Sequence, residues 1–366
     1  MTPTVLADLP SPALLFKPAA IDFNIDLMLK LAGGADRLRP HVKTHKCPQI
    51  IRRQVEKGIC KFKCATIAEA ELVAQNGGLS VVLAKQPVGP DIARLFQLII
   101  RYPQVEFETI VDHPAPLREL ASASEAHPQA LGLYVDVDCG MGRTGIAVGE
   151  GLSQLYQELE AIPHIRTAGF HVYDGHLHDR DPEQRQRRCK EAIAPVLAMK
   201  ERLEQNHLPV PKIIAGGSPT FPIHAANPEI DECSPGTTLL WDSGYGDRFD
   251  DLPFQPAAFL LTRVISRLSD HSVCTDLGHK AVSADKPQPR ARFDAIPDAA
   301  LGLHSEEHLV LCSPLCASLQ PGDHLIGIPA HVCPTVALHD EAYVISEDDR
   351  VTDRWPIAAR ARRLNV

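Results

Sequence analysis

Apolar residues along this chain fall into two rhythms. Up to about residue 246, short runs rich in β-branched and apolar residues recur at 38–43, 61–66, 79–85, 106–111, 131–138, 166–173, 212–215 and 237–242, which makes eight predicted strands. Stretches with apolar positions at helical spacing precede or separate them, at 19–31, 48–57, 67–76, 90–101, 115–123, 151–161 and 182–206, most with turn residues nearby. Strands separated by helices imply parallel pairing with right-handed crossovers. Eight such units match an α/β chain of the (β/α)8 barrel type better than an open doubly wound sheet. From about Asp247 the rhythm changes. Runs at 258–267, 271–276, 308–313, 324–328 and 342–345 are divided by turns rich in Gly, Pro and Asp, with little room for helices, so the last third predicts a β domain. The expected organisation is an amino-terminal segment 1–17 packing with the β domain, a barrel 18–246, and a carboxy-terminal β domain 247–366. No residue-level repeat or low-complexity segment interrupts it.

Composition narrows the partners. At 366 residues the chain exceeds what one hydrophobic core usually organises, in keeping with two domains. Apolar residues make up 44% and charged residues 23%, which is the balance of a folded protein. The net charge is −9 and the basic clusters are short, so a nucleic-acid backbone is a poor candidate partner and small molecules are better ones. The start, MTPTVLADLPSPALLF, lacks a basic region followed by a sustained apolar segment, and no later run is long enough to span a bilayer. These features predict a soluble cytoplasmic protein with no membrane partner. Ten cysteines are scattered without a repeated CxxC pair, which fits reduced thiols better than a disulfide framework.

The chemistry-bearing residues fall where a barrel places its active site, at the carboxyl ends of strands. RPHVKTHK at 39–46 closes the first run with Lys43, Lys46, His41 and His45; Asp138 and CGMGRTG close the fifth; Tyr173 and DGHLHD close the sixth; GGSPT at 216–220 follows the seventh. In that last turn, Gly216 and Gly217 let the backbone approach an anion while Ser218 and Thr220 add hydroxyl donors, a phosphate nest in one reading and a plain strand-to-helix turn in the other. Arg143 reads either as a salt-bridged surface residue or as a fixed guanidinium for an anionic or ring-oxygen partner. A phosphate nest opposite a strand-end lysine suggests pyridoxal phosphate, whose aldehyde needs an amine. Near the other end lies His331-Val332-Cys333. On an extended segment residues two apart share a side, so imidazole and thiolate can grip one borderline metal ion such as zinc; a partly buried structural pair is the competing reading.

The combination of RPHVKTHK, KCATIAEAE at 63–71, DVDCGMGRTG at 136–145, GGSPT, SPGTTLLWD at 234–242, SEEH at 305–308 and HVCPTVALHD at 331–340 resembles the fold-type III pyridoxal phosphate enzymes of the D-threonine aldolase and D-serine dehydratase group. The resemblance runs through nearly the whole chain. It implies an alanine-racemase-like barrel, a carboxy-terminal β domain and a homodimer whose active site lies between the domains. It places the lysine that binds the cofactor at Lys43 and leaves Lys46 a structural role. His41, Arg143, Tyr173, Gly216, Gly217, Ser218, Thr220 and Asp242 are the other expected cofactor-binding positions. The matching HxC or HxD pair of the family binds a divalent metal beside the cofactor, here His331 and Cys333, with the cysteine favouring zinc over manganese.

Departures from the family patterns divide the functional expectation. The HxC form resembles the dehydratase side, whereas VYDGHLHD at 172–179 resembles the aldolase side, where a histidine near the metal-bound hydroxyl is the expected base; His176 and His178 both remain candidates. Loss of the hydroxyl proton followed by Cα–Cβ cleavage gives glycine and an aldehyde. Removal of the α-proton by Lys43 with departure of hydroxide gives a 2-oxo acid and ammonia. The leading expectation is a metal-assisted D-threonine aldolase acting on D-3-hydroxy amino acids, and the alternative is a D-serine or 3-hydroxy-D-aspartate dehydratase. A non-catalytic pyridoxal phosphate carrier is disfavoured by the HxC pair and the complete β domain. An amino-acid racemase would need no metal, and no tyrosine base stands out in the second domain.

Overall fold

The computed structural model describes residues 5–127 and 131–366, so residues 1–4 of the amino-terminal segment lie outside it. The chain divides into two compact units. One comprises Leu27–Lys43, Ile51–Gly236 and Ala361–Val366, and the other the residues up to Asp26, Thr44–Ile50 and Thr237–Arg360.

The first unit is the barrel. Its strands follow one another in the order Lys61–Cys64, Ser80–Leu83, Glu106–Val111, Leu131–Asp138, Ile165–Val172, Ile213–Ala215 and Glu232–Cys233, each pair parallel. Single parallel bridges, Leu38 to Cys233 and His41 to Lys63, close the ring. Helices Ile67–Gln75, Pro90–Arg101, Pro114–Ser124, Glu150–Glu160 and Pro182–Gln205 connect the strands. Their starts are written into the sequence. Thr66 accepts from the Glu69 amide at 3.2 Å while the Glu69 carboxylate takes the Ala65 amide at 2.6 Å, and Asp181 accepts from the Glu183 amide at 2.9 Å with Pro182 opening the helix.

Two of the eight predicted strands are corrected. Residues 38–43 make only the two closing bridges, because Pro40 has no amide to donate and the chain winds at once into the 3-10 turn Val42–Thr44. The eighth position belongs to Glu232–Cys233 rather than 237–242, which instead contain the 3-10 turn Thr237–Leu239 followed by Trp241 at φ +43°. Glu232 disguises that strand from a reading of apolar runs. Its carboxylate is buried and paired with Arg39 at 2.5 Å, with the same guanidinium 3.5 Å from Glu108. Burial works against the Glu232 charge, but Arg39 and Lys61 outweigh it and hold its pKa down to about 2. Val82, Ile110, Tyr134, Ala168 and Ile214, one from each of five neighbouring strands, pack together as an apolar layer of the unit.

The second unit is built on a mostly antiparallel sheet in the order Ala300–His304, Leu309–Cys312, Ser272–Thr275, Ala258–Ser269, Ala13–Phe16, Glu341–Ile345 and Val351–Pro356, and His324–Pro329 pairs with both Ala258–Ser269 and Ala291–Phe293. Ala13–Phe16 is parallel to Glu341–Ile345. The short strands Ala13–Phe16, Ala291–Phe293, Ala300–His304 and Val351–Pro356 escaped the sequence pattern; the last of them, VTDRWP, has a single buried residue, Trp355. The transition between units falls between Gly236 and Thr237, ten residues before the expected boundary at 246, because the Thr237–Leu239 turn and the helix Ser243–Gly246 pack with the sheet. No helix among the described residues is long and apolar enough to cross a membrane.

Candidate active site

In the barrel unit, three cations converge on one ring. Tyr173 follows the strand Ile165–Val172, and its ring centre lies 5.7 Å from Lys43 Nζ, 5.6 Å from Lys63 Nζ and 4.6 Å from the Arg143 guanidinium carbon. Each contact is favourable to the ring face, but the three positive groups repel one another, so the cluster suits an anionic ligand. Lys43 stands in the 3-10 turn Val42–Thr44 and is half-buried, and its amide donates to His41 Nδ1 at 3.3 Å, which gives His41 the task of shaping that turn. Arg143 is exposed on the loop after Leu131–Asp138. Lys46 lies two residues past the turn with φ +51°, and its carbonyl accepts from the Ala359 amide at 3.2 Å.

Lys63 is the residue that reading the sequence passed over. It is fully buried on the strand Lys61–Cys64, with Nζ 3.0 Å from His171 Nε2, and His171 Nδ1 is 2.6 Å from Asp136 Oδ1. The carboxylate fixes the proton on Nδ1 and leaves Nε2 to accept from the amine. Burial, reinforced by the neighbouring Lys43 charge, pushes the Lys63 amine down to about 7, and burial likewise lowers His171. The signal available in the sequence was a lysine at an inward-facing place between Phe62 and Cys64, but nothing local pairs it with residues 73 and 108 positions away.

The GGSPT turn is organised around a buried carboxylate. Asp174 Oδ1 accepts from the Gly217 amide at 3.1 Å and from Thr220 Oγ1 at 2.9 Å, and Oδ2 lies 2.7 Å from His224 Nε2. The Gly217 amide and the Thr220 hydroxyl, expected to face a phosphate, are thus engaged by Asp174, which needs donors in the interior. Gly216 adopts φ +83°, a conformation that favours glycine. Ser218 Oγ accepts from the Gly236 amide at 3.2 Å. Ser234, whose amide donates to the Ala215 carbonyl at 3.2 Å, keeps a buried hydroxyl with no partner among the described residues. Asp174, Cys189 and His224 also bring three ligand-type atoms within 4.8 Å of one another. Their mutual hydrogen bonds, with Cys189 Sγ 3.4 Å from His224 Nε2, account for that proximity.

The two candidate base histidines differ. His178 is exposed, whereas His176 is half-buried against the DCGMGRTG loop, where a Cβ on Gly140 would come within 3.1 Å of its Nε2. Its Nδ1 is buried without a partner among the described residues.

The HxC pair belongs to the second unit and is not on an extended segment. His331 is the extended residue that caps the helix Val332–Val336, and Cys333 lies inside that helix. The two side chains still meet. Burial opposes the imidazolium, but Cys333 and Asp285 beside it prevail and raise His331 to about 9. Cys333 Sγ also lies 3.2 Å from Thr44 Oγ1 and 3.5 Å from Thr237 Oγ1. Asp242, expected among the cofactor contacts, takes the Tyr245 amide on one oxygen and the Val332 amide on the other, each at 2.9 Å, and burial pushes its pKa up to about 6.

Comparison with known proteins places these features in a family. Residues 17–243 match the model described as "Alanine racemase, N-terminal domain", and residues 257–345 match "Putative serine dehydratase domain". A D-threonine aldolase of Arthrobacter sp is 28% identical over 359 residues, covering 97% of this chain and 94% of the relative. A 3-hydroxy-D-aspartate aldolase of Paracoccus denitrificans (strain Pd 1222) is 28% identical over 371 residues, covering 97% and 93%. The crystal structure of D-threonine aldolase from Filomicrobium marinum superposes with a TM-score of 0.92 over the whole of both chains at 28% identity.

Proposed function

We propose, for a chain that belongs to the alanine racemase N-terminal domain family and so to the fold-type III pyridoxal phosphate enzymes, a lyase that cleaves D-3-hydroxy amino acids to glycine and an aldehyde with a divalent metal. The observation that carries this reading is the meeting of Lys43 and Arg143 on the Tyr173 ring at the strand ends of the barrel. The residues present fit the cofactor. Lys43 offers a half-buried amine for its aldehyde, and the orphaned Ser234 hydroxyl beside Ala215 offers a donor to its phosphate. When bound, pyridoxal phosphate supplies an electron sink for the bond broken at the substrate α-carbon. The donor set of His331 and Cys333 fits zinc, which would supply Lewis acidity toward the β-hydroxyl.

The chain's own groups then divide the work. Arg143, exposed at the loop, pairs with an anionic group of the substrate or cofactor. His176, whose Nδ1 has no partner among the described residues, would take the β-hydroxyl proton as the Cα–Cβ bond breaks and the aldehyde departs. His178 stands in open solvent. A second reading, dehydration to a 2-oxo acid and ammonia, is favoured by the match of residues 257–345 to a putative serine dehydratase domain. In it Lys43 removes the α-proton and hydroxide leaves.

Product analysis decides between them. The cofactor-loaded protein with zinc or manganese is given D-threonine; glycine with acetaldehyde identifies the aldolase, and 2-oxobutanoate with ammonia identifies the dehydratase. A chelator should abolish turnover in either case while leaving the visible absorbance of the bound cofactor. No product from D-threonine, D-serine or 3-hydroxy-D-aspartate in the presence of metal would sink both readings.

A further inference from the structure

His331 is held by a closed circuit of hydrogen bonds. Its Nδ1 lies 2.6 Å from Asp285 Oδ2, and Ser283 Oγ donates to the other oxygen, Oδ1, at 2.5 Å. The Ser283 amide donates to Thr335 Oγ1 at 3.1 Å, and that hydroxyl donates to the His331 carbonyl at 2.7 Å. The helix entry is pinned separately, by the Asp242 carboxylate on the Val332 amide at 2.9 Å. The backbone at His331 is therefore fixed from two directions and its ring by Asp285, although the imidazole itself is one-third exposed.

The geometry points to Asp285 as a positioning residue that commits Nδ1 of His331 and turns Nε2 toward a divalent ion shared with Cys333. A carboxylate on the far nitrogen of a ligating histidine sets its tautomer, holds the plane of the ring and raises its basicity. Rotation of the Asp285 carboxylate would break two hydrogen bonds at once, the one to Ser283 and the one to His331, so the ring plane is well determined. On the other side of the pair, the Thr44 and Thr237 hydroxyls, 3.2 and 3.5 Å from the sulfur, play the matching part for Cys333. The sequence gives no hint of this, since Asp285 stands 46 residues before His331 in the loop segment SADKPQPR.

The inference rests on the reading of His331 and Cys333 as metal ligands, and the test separates the two. Zinc affinity of the cofactor-loaded protein is measured at fixed pH by competition with a chromophoric chelator. Cys189→Ala serves as background, to remove the thiol of the Asp174, Cys189 and His224 cluster. Asp285→Ala should weaken zinc binding by about 10- to 100-fold, the usual cost of losing such a partner. Asp285→Asn, whose amide oxygen can still accept from Nδ1, should recover part of that loss. Cofactor absorbance should stay unchanged in both, since Lys43 does not depend on this circuit. If His331→Ala binds zinc as tightly as the parent, the metal pair is wrong and the inference goes with it. If His331→Ala loses zinc but Asp285→Ala binds within about twofold of the parent, the metal pair stands and the positioning role is overturned. Should Asp285→Ala fail to fold, Asp285→Asn decides: an affinity equal to the parent's refutes any part for the carboxylate charge.

Discussion

Replacing Lys63 by methionine should change how the stability of the barrel unit responds to pH. The amine is fully buried and lowered to about 7 from the ordinary lysine value of 10.5, chiefly by burial and then by the Lys43 charge. A lysine lowered in the folded state opposes folding. The penalty is fully present below pH 7, where the interior must hold an ammonium that the unfolded chain holds freely, and it fades as pH rises toward 10.5. With those two values, linkage at 1.36 kcal/mol per unit makes the wild-type unit gain about 2 kcal/mol between pH 7 and pH 9 from this one group. Lys63→Met removes the gain and keeps the packing of the stem, although it leaves His171 Nε2 without its donor at 3.0 Å, a cost of about 1–3 kcal/mol that does not vary with pH in this window. Urea unfolding of the apoprotein, followed by circular dichroism at pH 7, 8 and 9, should therefore show the wild type rising relative to the variant. A 13C-labelled lysine titration gives the amine directly. Parallel pH profiles for the two proteins, together with no lysine titrating near 7, would refute the idea that the barrel interior holds a depressed amine.

Three further outcomes follow from the same geometry. Borohydride reduction of the cofactor-loaded protein and peptide mapping should label Lys43 and not Lys46, and Lys43→Ala should lose the visible absorbance that Lys46→Ala keeps; a label on Lys46 overturns the assignment. A Cβ at Gly217 would lie 3.2 Å from Tyr173 Cε2, so Gly217→Val must displace the ring that Lys43 and Arg143 face, and titration of the apoprotein with pyridoxal phosphate should show affinity falling by about tenfold or more. Glu232, held down to about 2 by Arg39 against its burial, contributes stability above its unfolded value of 4.5 that is lost as pH falls toward 2; Glu232→Gln should thus lose about 1 kcal/mol less than wild type between pH 5 and 3.5, and equal losses would contradict the pairing.

The barrel was legible because its grammar is local. Six of the eight predicted strands stand where apolar runs placed them, and Glu106–Val111 and Leu131–Asp138 match to the residue. The first and eighth places failed for a different reason in each case. Pro40 interrupts the one, and the other is a two-residue strand whose first side chain is a glutamate that only its distant partner Arg39 makes buriable. Lys43, Arg143 and Tyr173 could be brought together on paper because each ends or follows a strand. Lys63 could not, since its meaning lies in His171 and Asp136, on other strands, and the same holds for Asp174 with His224. The expectation that His331 and Cys333 share a side was reached through the wrong geometry, an extended segment in place of a capped helix.

Asp242 shows what the hydrogen bonds of an acid add to the motif that contains it. Four aspartates, the buried Asp136, Asp174 and Asp242 and the exposed Asp285, serve this chain in two ways. Asp242 accepts from a backbone amide on each oxygen, those of Tyr245 and Val332, so its carboxylate ties a helix start to a neighbouring segment. Asp136, Asp174 and Asp285 each end on a histidine, at 2.6, 2.7 and 2.6 Å, and in each case the carboxylate determines which ring nitrogen is left for another partner. The partner differs: an amine for His171, and for His331 the divalent ion we propose it shares with Cys333. His224 is the exception, since the nitrogen that meets Asp174 is also the one 3.4 Å from Cys189. An aspartate that terminates on amides is therefore read here as framework, and one that terminates on an imidazole whose other nitrogen remains available is read as part of a site. By that criterion Asp285 and Asp136 are the acids whose removal should alter chemistry before it alters the fold.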